Sequence, residues 1–211
     1  MKKGTLVPLL LMTAITAMTT ALSAHAQAPS SAEIVSELRK GGFVLFIRHP
    51  QTNRDQADTD PLHLDNVKAQ RQLSDDGRKQ ARALGEAFRA LKIPVARVVS
   101  SKFNRAQEAA RILEVGEVVT SIDVSEGGLV VSPNENKRRA EALRKLLGTP
   151  PPRGQNIVIV SHRPNLQDAA GKEFGDVVEA EVVVFQPLTD GKFKAVARVA
   201  PPAKWTEWAK Q

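Results

Sequence analysis

The sequence predicts an α/β fold: a three-layer αβα sandwich on a mostly parallel sheet, with a C-terminal hairpin. Three observations carry that expectation. Segments 43–47, 95–100 and 156–161 are short, largely apolar runs rich in Val and Ile, as strands buried on both faces are. Between them lie segments of helical period, so strand and helix alternate. Near the end, segments 181–185 and 193–199 flank the turn sequence Leu188-Thr189-Asp190-Gly191, which reads as a hairpin.

In chain order, a leader comes first. Lys2 and Lys3 precede a mostly apolar stretch at 6–21, and Ala24-His25-Ala26 places small residues at the two positions a signal peptidase reads. Cleavage after Ala26 is expected, leaving a domain at 27–211 in the periplasm or outside the cell. A retained anchor is the alternative. The run is short for a span of about 20 residues and rich in Thr and Ala, so no stable membrane insertion is expected.

Ser30-Ser31-Ala32-Glu33 reads as a capping box for a helix running to Lys40, and Gly41-Gly42 ends it. The strand at 43–47 follows. Residues 48–71 are polar and aperiodic, the pattern of a functional loop. Ser74 caps the next helix, with Asp75 and Asp76 near its positive end and Ala81, Leu84, Ala87, Phe88 and Leu91 as its apolar stripe. Pro94 stops it before the strand at 95–100. A helix at 104–113, a short strand at 117–119, an irregular stretch at 123–133 and a charged helix at 134–147 come next. Residues 149–154 form a stiff Pro-rich link, and the strand at 156–161 follows it.

There is no Cys, so packing rather than disulfides must stabilise an exported domain, and thiol nucleophiles and thiolate metal sites are excluded. The formal charge is +7, or +5 without Lys2 and Lys3. Two Trp and no Tyr give little for base stacking, so nucleic acid is not an expected partner. The basic balance is either a solvated surface or an attraction for anionic substrates.

The candidate chemistry sits at predicted strand ends, where ligands bind in open sheets of this kind. Arg48-His49 follows the first strand, Arg105 comes after the second, and His162 directly follows the third. Thr52 and Asn53 add donors in the turn after His49. A guanidinium offers a planar fork suited to phosphate, and a neutral imidazole beside it is a nucleophile for phosphorus. Each residue has a plainer alternative: a packed structural histidine, or an arginine on a helix surface. His63 with Asp58, Asp60 and Asp65 is better read as solvated loop than as a metal site, and Glu179 and Glu181 as strand-edge residues. Lys137-Arg138-Arg139 reads as a solvated helix face.

The combination Arg48-His49-Pro50-Gln51-Thr52 resembles the opening Arg-His-Gly-x-Thr motif of the histidine phosphatase (phosphoglycerate-mutase-like) superfamily. The likeness continues in order through Leu73-Ser74-Asp75-Asp76-Gly77-Arg78-Lys79-Gln80-Ala81, Ser100-Ser101, Arg105-Ala106 and Ser161-His162. It spans roughly residues 43–186. It implies a phosphomonoester hydrolase that needs no metal or cofactor, and the leader makes it an exported one. His49 would become phosphorylated, Arg48 and Arg105 would clamp the phosphate, and His162 would be the second histidine. Neither arginine is expected in the core. Pro50 departs from the family's Gly and removes a backbone N–H. The general acid stays open: Glu126 occupies the place of the acid in the mutase-like branch. In the acid-phosphatase branch an Asp follows the second histidine. Here Arg163 stands there, Asp168 is the next carboxylate, and some members use no acid. The expected partner is an anionic phosphorylated small molecule or envelope component, such as an envelope sugar phosphate. The alternative is a non-catalytic anion-binding module of the same fold.

Overall fold

The capping box forms as its spacing requires. Ser30 Oγ accepts from the Glu33 backbone N–H at 3.3 Å, and the Glu33 carboxylate accepts from the Ser30 N–H at 2.7 Å. This opens helix α1 (Ser31–Lys40). The protein is described from a computed structural model that covers Met1, residues 30–127 and residues 130–211. The leader and the cleavage point after Ala26 lie outside the described residues. Gly41 ends α1 at φ 78°, and a Cβ there would meet the Gln155 backbone N at 2.4 Å, so glycine is required twice over.

The elements then run β1 (Val44–Arg48), α2 (Asp75–Ala90), β2 (Val95–Ser101), α3 (Asn104–Leu113), β3 (Val118–Ser121), α4 (Pro133–Leu147), β4 (Asn156–Ser161), α5 (Arg163–Ala170), β5 (Val182–Pro187), β6 (Phe193–Val199) and α6 (Ala203–Trp208). They build one sheet in the order β3-β2-β4-β1-β5-β6. Pairings among β1 to β4 are parallel. The closing hairpin adds β5 antiparallel to β1, and β6 antiparallel to β5.

Strand side chains alternate between two cores, which is why the runs show no polar alternation. Leu45, Ile47, Val98, Val158 and Val160 pack with Leu38, Leu84, Phe88, Leu113 and Trp205 from α1, α2, α3 and α6. Val44, Phe46, Val99, Ile157 and Ile159 pack with Leu143, Leu147 and Leu166 from α4 and α5. Helices on both faces give the three layers.

Two helices go beyond the sequence reading. In α5, Pro164 sits in the first turn, where a missing N–H costs nothing. Leu166 and Ala169 then face the core at helical spacing. The short α6 has no side-chain cap and is held by burial of Trp205, which meets Phe88 edge-on at 4.9 Å.

Asn156 ties together the amino-terminal ends of the central strands. Its Oδ1 accepts from Phe43 N at 3.1 Å, and its Nδ2 donates to Leu38 O and Pro94 O at 2.8 and 2.9 Å. The parallel strands β1, β2 and β4 are thus anchored at one end, and their carboxyl ends emerge together at the other.

Candidate active site

Arg48 is the last residue of β1 and lies in register with Ser161, the last of β4. The backbone N–H of His49 continues that ladder, donating to Ser161 O at 2.9 Å. His49 and His162 therefore leave neighbouring parallel strands side by side, with ring centroids 5.2 Å apart. Only 2% of His49 and 1% of His162 is exposed.

His49 Nδ1 lies 2.9 Å from Pro50 O. A carbonyl oxygen can only accept, so Nδ1 carries the proton and the Nε2 lone pair is free. Burial pushes the His49 pKa well below the ordinary imidazole value, helped by His162, Arg105 and Arg48 and opposed by the bond to Pro50. The ring is therefore neutral at pH 7.

His162 Nε2 is 2.7 Å from Ser101 Oγ at the end of β2. That hydroxyl accepts from Phe103 N at 3.2 Å, so its own proton can go to Nε2, which puts the ring proton on Nδ1. Nδ1 lies 3.2 Å from Glu126 Oε1 but off the line of a hydrogen bond, and makes none. Burial, then Arg105, Arg71 and Arg48, lowers the His162 pKa well below its ordinary value.

Arg105 stands in the first turn of α3 and is wholly buried, against the expectation that it lies outside the core. Its guanidinium carbon stacks 4.3 Å from the Phe103 ring centroid. Nη1 donates to both carboxylate oxygens of Asp58, at 3.0 and 3.2 Å, and Nη2 donates to Glu126 at 2.5 Å. Arg48 donates from Nη1 to Val177 O at 2.8 Å, and its Nη2 is 3.9 Å from Glu179. The Nε atoms of Arg48, Arg71 and Arg105 are buried with no hydrogen-bond partner. Burial lowers the Arg48 pKa, and Glu179 opposes the shift, but a guanidinium keeps its charge in a protein.

The long loop docks onto these elements through side chains. Gln70 Oε1 accepts from the Asn104 N–H at 2.7 Å, serving the bare N-terminus of α3, and Asn104 Nδ2 donates to Gln72 Oε1 at 2.6 Å. At the other end, Ser74 N donates to Gln51 O at 3.0 Å. Gly77 allows this approach, because a Cβ there would stand 2.0 Å from Gln51 O. The Leu-Ser-x-x-Gly segment read from the sequence is thus the seat of the turn after His49.

The structure brings together Arg48, His49, Arg105, Glu126 and His162. Thr52 is buried at the rim, where Oγ1 donates to Glu179 at 3.2 Å. The Asn53 backbone N–H donates to Gln72 O at 3.1 Å, which ties the turn after His49 to the end of the long loop. Asp168 is remote, lining a groove of about 610 Å³ between α4 and α5 with Arg144 and Lys137. Three neighbours were missed. Asp58 was read as solvated loop and Glu179 as strand edge, yet both face site arginines. Arg71, the end of the loop, adds positive charge near Arg48 and His162. Only the density of charge in the loop hinted at Asp58 and Arg71, and nothing local marked Glu179. Glu181 is structural, accepting from Arg198 at 2.6 Å and from Val178 N at 2.9 Å. His63 and Asp60 bond to each other at 2.6 Å, and among the described residues no His, Asp and Glu cluster is arranged to hold a metal ion. Nor, among those residues, is any helix long and apolar enough to cross a membrane.

Comparison with known proteins adds to this geometry. The histidine phosphatase superfamily (branch 1) matches residues 44–127, which include Arg48, His49, Arg105 and Glu126. No curated protein matches the chain. Among solved structures, a mycobacterial glucosyl-3-phosphoglycerate phosphatase in complex with VO3 is similar, at TM-score 0.53 and 15% identity over 74% of this chain and 97% of that one. Phosphoserine phosphatase from Entamoeba histolytica, with 3-phosphoglyceric acid, aligns at TM-score 0.52 and 15% identity over 75% and 97%. The protein histidine phosphatase SixA with tungstate aligns at TM-score 0.50 and 16% identity over 77% and 98%. With its sheet, its motif order and the family match in agreement, the chain is similar to the histidine phosphatase superfamily, by sequence over residues 44–127 and by fold beyond them.

Proposed function

We propose that the protein is an exported phosphomonoester hydrolase working through a phosphohistidine at His49. One observation carries the reading: a buried, neutral His49 whose Nδ1–H is bonded to Pro50 O, leaving Nε2 as a lone-pair donor among arginines. Nε2 attacks phosphorus, the P–O bond to the leaving group breaks, and Arg48 and Arg105 hold the phosphoryl oxygens as charge redistributes. Glu126, beside Arg105 and His162, carries the proton that the leaving oxygen needs. Water then attacks the phosphoramidate, the P–N bond breaks, and its proton returns to Glu126. Phosphate leaves and His49 is neutral again. His162 Nδ1–H contacts the transferring group without bonding covalently to it.

Solved structures similar to this chain include phosphatases bound to VO3 and tungstate, which supports an anionic phosphorylated substrate. The leader argues for an envelope component, such as a sugar phosphate, as its class. The test is a rapid acid-free quench with a labelled phosphate ester, followed by peptide mapping. Label on His49, lost together with turnover in His49→Ala, is the expected result. Label on another residue, or full activity in His49→Ala, overturns the mechanism. Tight phosphate binding without turnover in the unmutated protein favours an anion-binding module.

A further inference from the structure

Arg105 is the innermost cation of the site and is fully buried, yet both its terminal nitrogens are already engaged. Glu126 takes Nη2, and Asp58 takes Nη1 with both carboxylate oxygens. Asp58 is held from behind as well, since the Arg71 N–H donates to Oδ1 at 3.0 Å. The next residue, Thr59, donates its N–H to Ala69 O at 2.8 Å, so the loop backbone is braced at this point. A carboxylate that accepts two bonds from one guanidinium nitrogen and a third from a backbone N–H occupies the kind of donor set that binds phosphate oxygens.

We propose that Asp58 is an internal competitor for the phosphate seat and so a specificity-determining residue. The proposal rests on the reading of Arg105 as a phosphate clamp, which the enzyme and the binding-module readings share. An incoming phosphoryl group exchanges with the Asp58 carboxylate on Arg105 Nη1. With the Thr59 backbone pinned to Ala69, rotation of the Asp58 side chain suffices and the loop need not open. A dianionic monoester replaces a unit negative charge with a larger one, which favours exchange. A monoanionic diester brings no such gain, so the carboxylate sets a threshold that monoesters pass and diesters do not. Specificity here is a difference between two affinities, and Asp58 acts on the weaker one.

Titration calorimetry with inorganic phosphate and with dimethyl phosphate tests this on the purified protein and on Asp58→Asn, which keeps an acceptor for the Arg71 N–H and loses the charge. The variant is expected to bind phosphate more tightly by on the order of tenfold, the scale of one charge-assisted hydrogen bond. Dimethyl phosphate should gain more than phosphate does, so the ratio of the two dissociation constants narrows. Structural damage weakens binding and does not tighten it, so the gain is diagnostic. Equal or weaker phosphate binding, in a variant that melts where the parent does, overturns the proposal. So does a fall in kcat on alkyl phosphates with unchanged phosphate affinity, which would make Asp58 a proton donor instead. Should Asp58→Asn fail to fold, Asp58→Ser carries the same comparison. Tighter binding in a protein that turns over no ester keeps the competitor and removes the phosphatase; turnover through His49 with unchanged affinity does the reverse.

Discussion

His49 Nδ1 meets the carbonyl oxygen of Pro50 at 2.9 Å, so the residue that departs from the family motif also fixes the tautomer of the proposed nucleophile. The contact uses the main-chain carbonyl, which proline has as fully as glycine. What Pro50 lacks is an N–H, and nothing in the His49 arrangement draws on one. Pro50→Gly is therefore expected to keep His49 labelling and turnover, while losing about 1 kcal/mol of stability as the unfolded chain gains freedom. Urea unfolding beside a labelling assay checks both. Loss of labelling in a folded Pro50→Gly protein would show that the ring, not the carbonyl, holds His49 in place.

Acid should expose the two histidines. Both folded pKa values lie well below the ordinary value of 6.5 that the unfolded chain shows. Below about pH 6.5 the unfolded chain therefore binds protons that the fold refuses, and stability falls as pH drops. Above that pH both states are neutral and the dependence vanishes. Each histidine contributes at most about 1.4 kcal/mol per pH unit between its folded and unfolded values. A His49→Asn/His162→Asn double variant should unfold in urea with a shallower dependence between pH 5 and 7. An unchanged slope would mean that the rings are accessible to protons in the native state.

How far the sequence shows these features depends on how local each one is. The strands, the capping box and the Ser74 cap are set by neighbouring residues, and β4 (Asn156–Ser161) and α3 (Asn104–Leu113) lie where the pattern put them. Arg48, His49 and His162 could be placed because parallel strands deliver their carboxyl ends to one edge. Asp58 could not. Its contact with Arg105 spans 47 residues and depends on Gln70 and Gln72 docking the loop onto α3. A polar loop reads the same whether its carboxylates face water or a buried arginine. Glu179 was missed for the same reason, since Thr52 and Arg48 reach it from 127 and more residues away.

Arg105 is at once the proposed phosphate clamp and a core residue, so its removal should register twice. Arg105→Ala is expected to lose about 3–4 kcal/mol of transition-state stabilisation, as for one well-placed donor. Stability should fall too, by roughly 1–3 kcal/mol, because Asp58 and Glu126 lose their partner and Phe103 its stacked guanidinium. Arg48→Ala should match it in rate but lose less stability than Arg105→Ala, since Arg48 is partly exposed and makes one short bond, to Val177 O. Steady-state kinetics with thermal melts would separate the two arginines; equal stability losses would contradict the difference in burial.

The turn after His49 should be as sensitive to shape as to charge. A Cβ on Gly77 would fall 2.0 Å from Gln51 O, a backbone atom that cannot rotate away. Gly77→Ala must then move the turn off α2, at about 1–3 kcal/mol by analogy with overpacking. Displacing Gln51 by even a fraction of an ångström shifts Pro50 and the carbonyl that orients His49. Activity should fall more than stability predicts, with phosphate binding through Arg105 retained. A Gly77→Ala protein with parental kcat would show that α2 does not position the nucleophile.

Glu126 is distinguished from Asp58 and Asp168 by its contacts, which join Arg105, at 2.5 Å, to His162, whose Nδ1 is 3.2 Å away. A proton carrier in that position matters only when the leaving oxygen is basic. An aryl phosphate with an acidic phenol departs unaided, whereas an alkyl or sugar phosphate needs protonation as the P–O bond breaks. Glu126→Gln should therefore lower kcat on an alkyl phosphate by about 10²–10⁴-fold, the range for a general acid, while changing the aryl phosphate rate far less. The same variant should slow hydrolysis of the phosphoenzyme, because the attacking water loses its base. Equal losses on both ester classes would recast Glu126 as a partner that merely orients Arg105, and Asp168→Asn, remote in the α4–α5 groove, should leave both rates at the parental level.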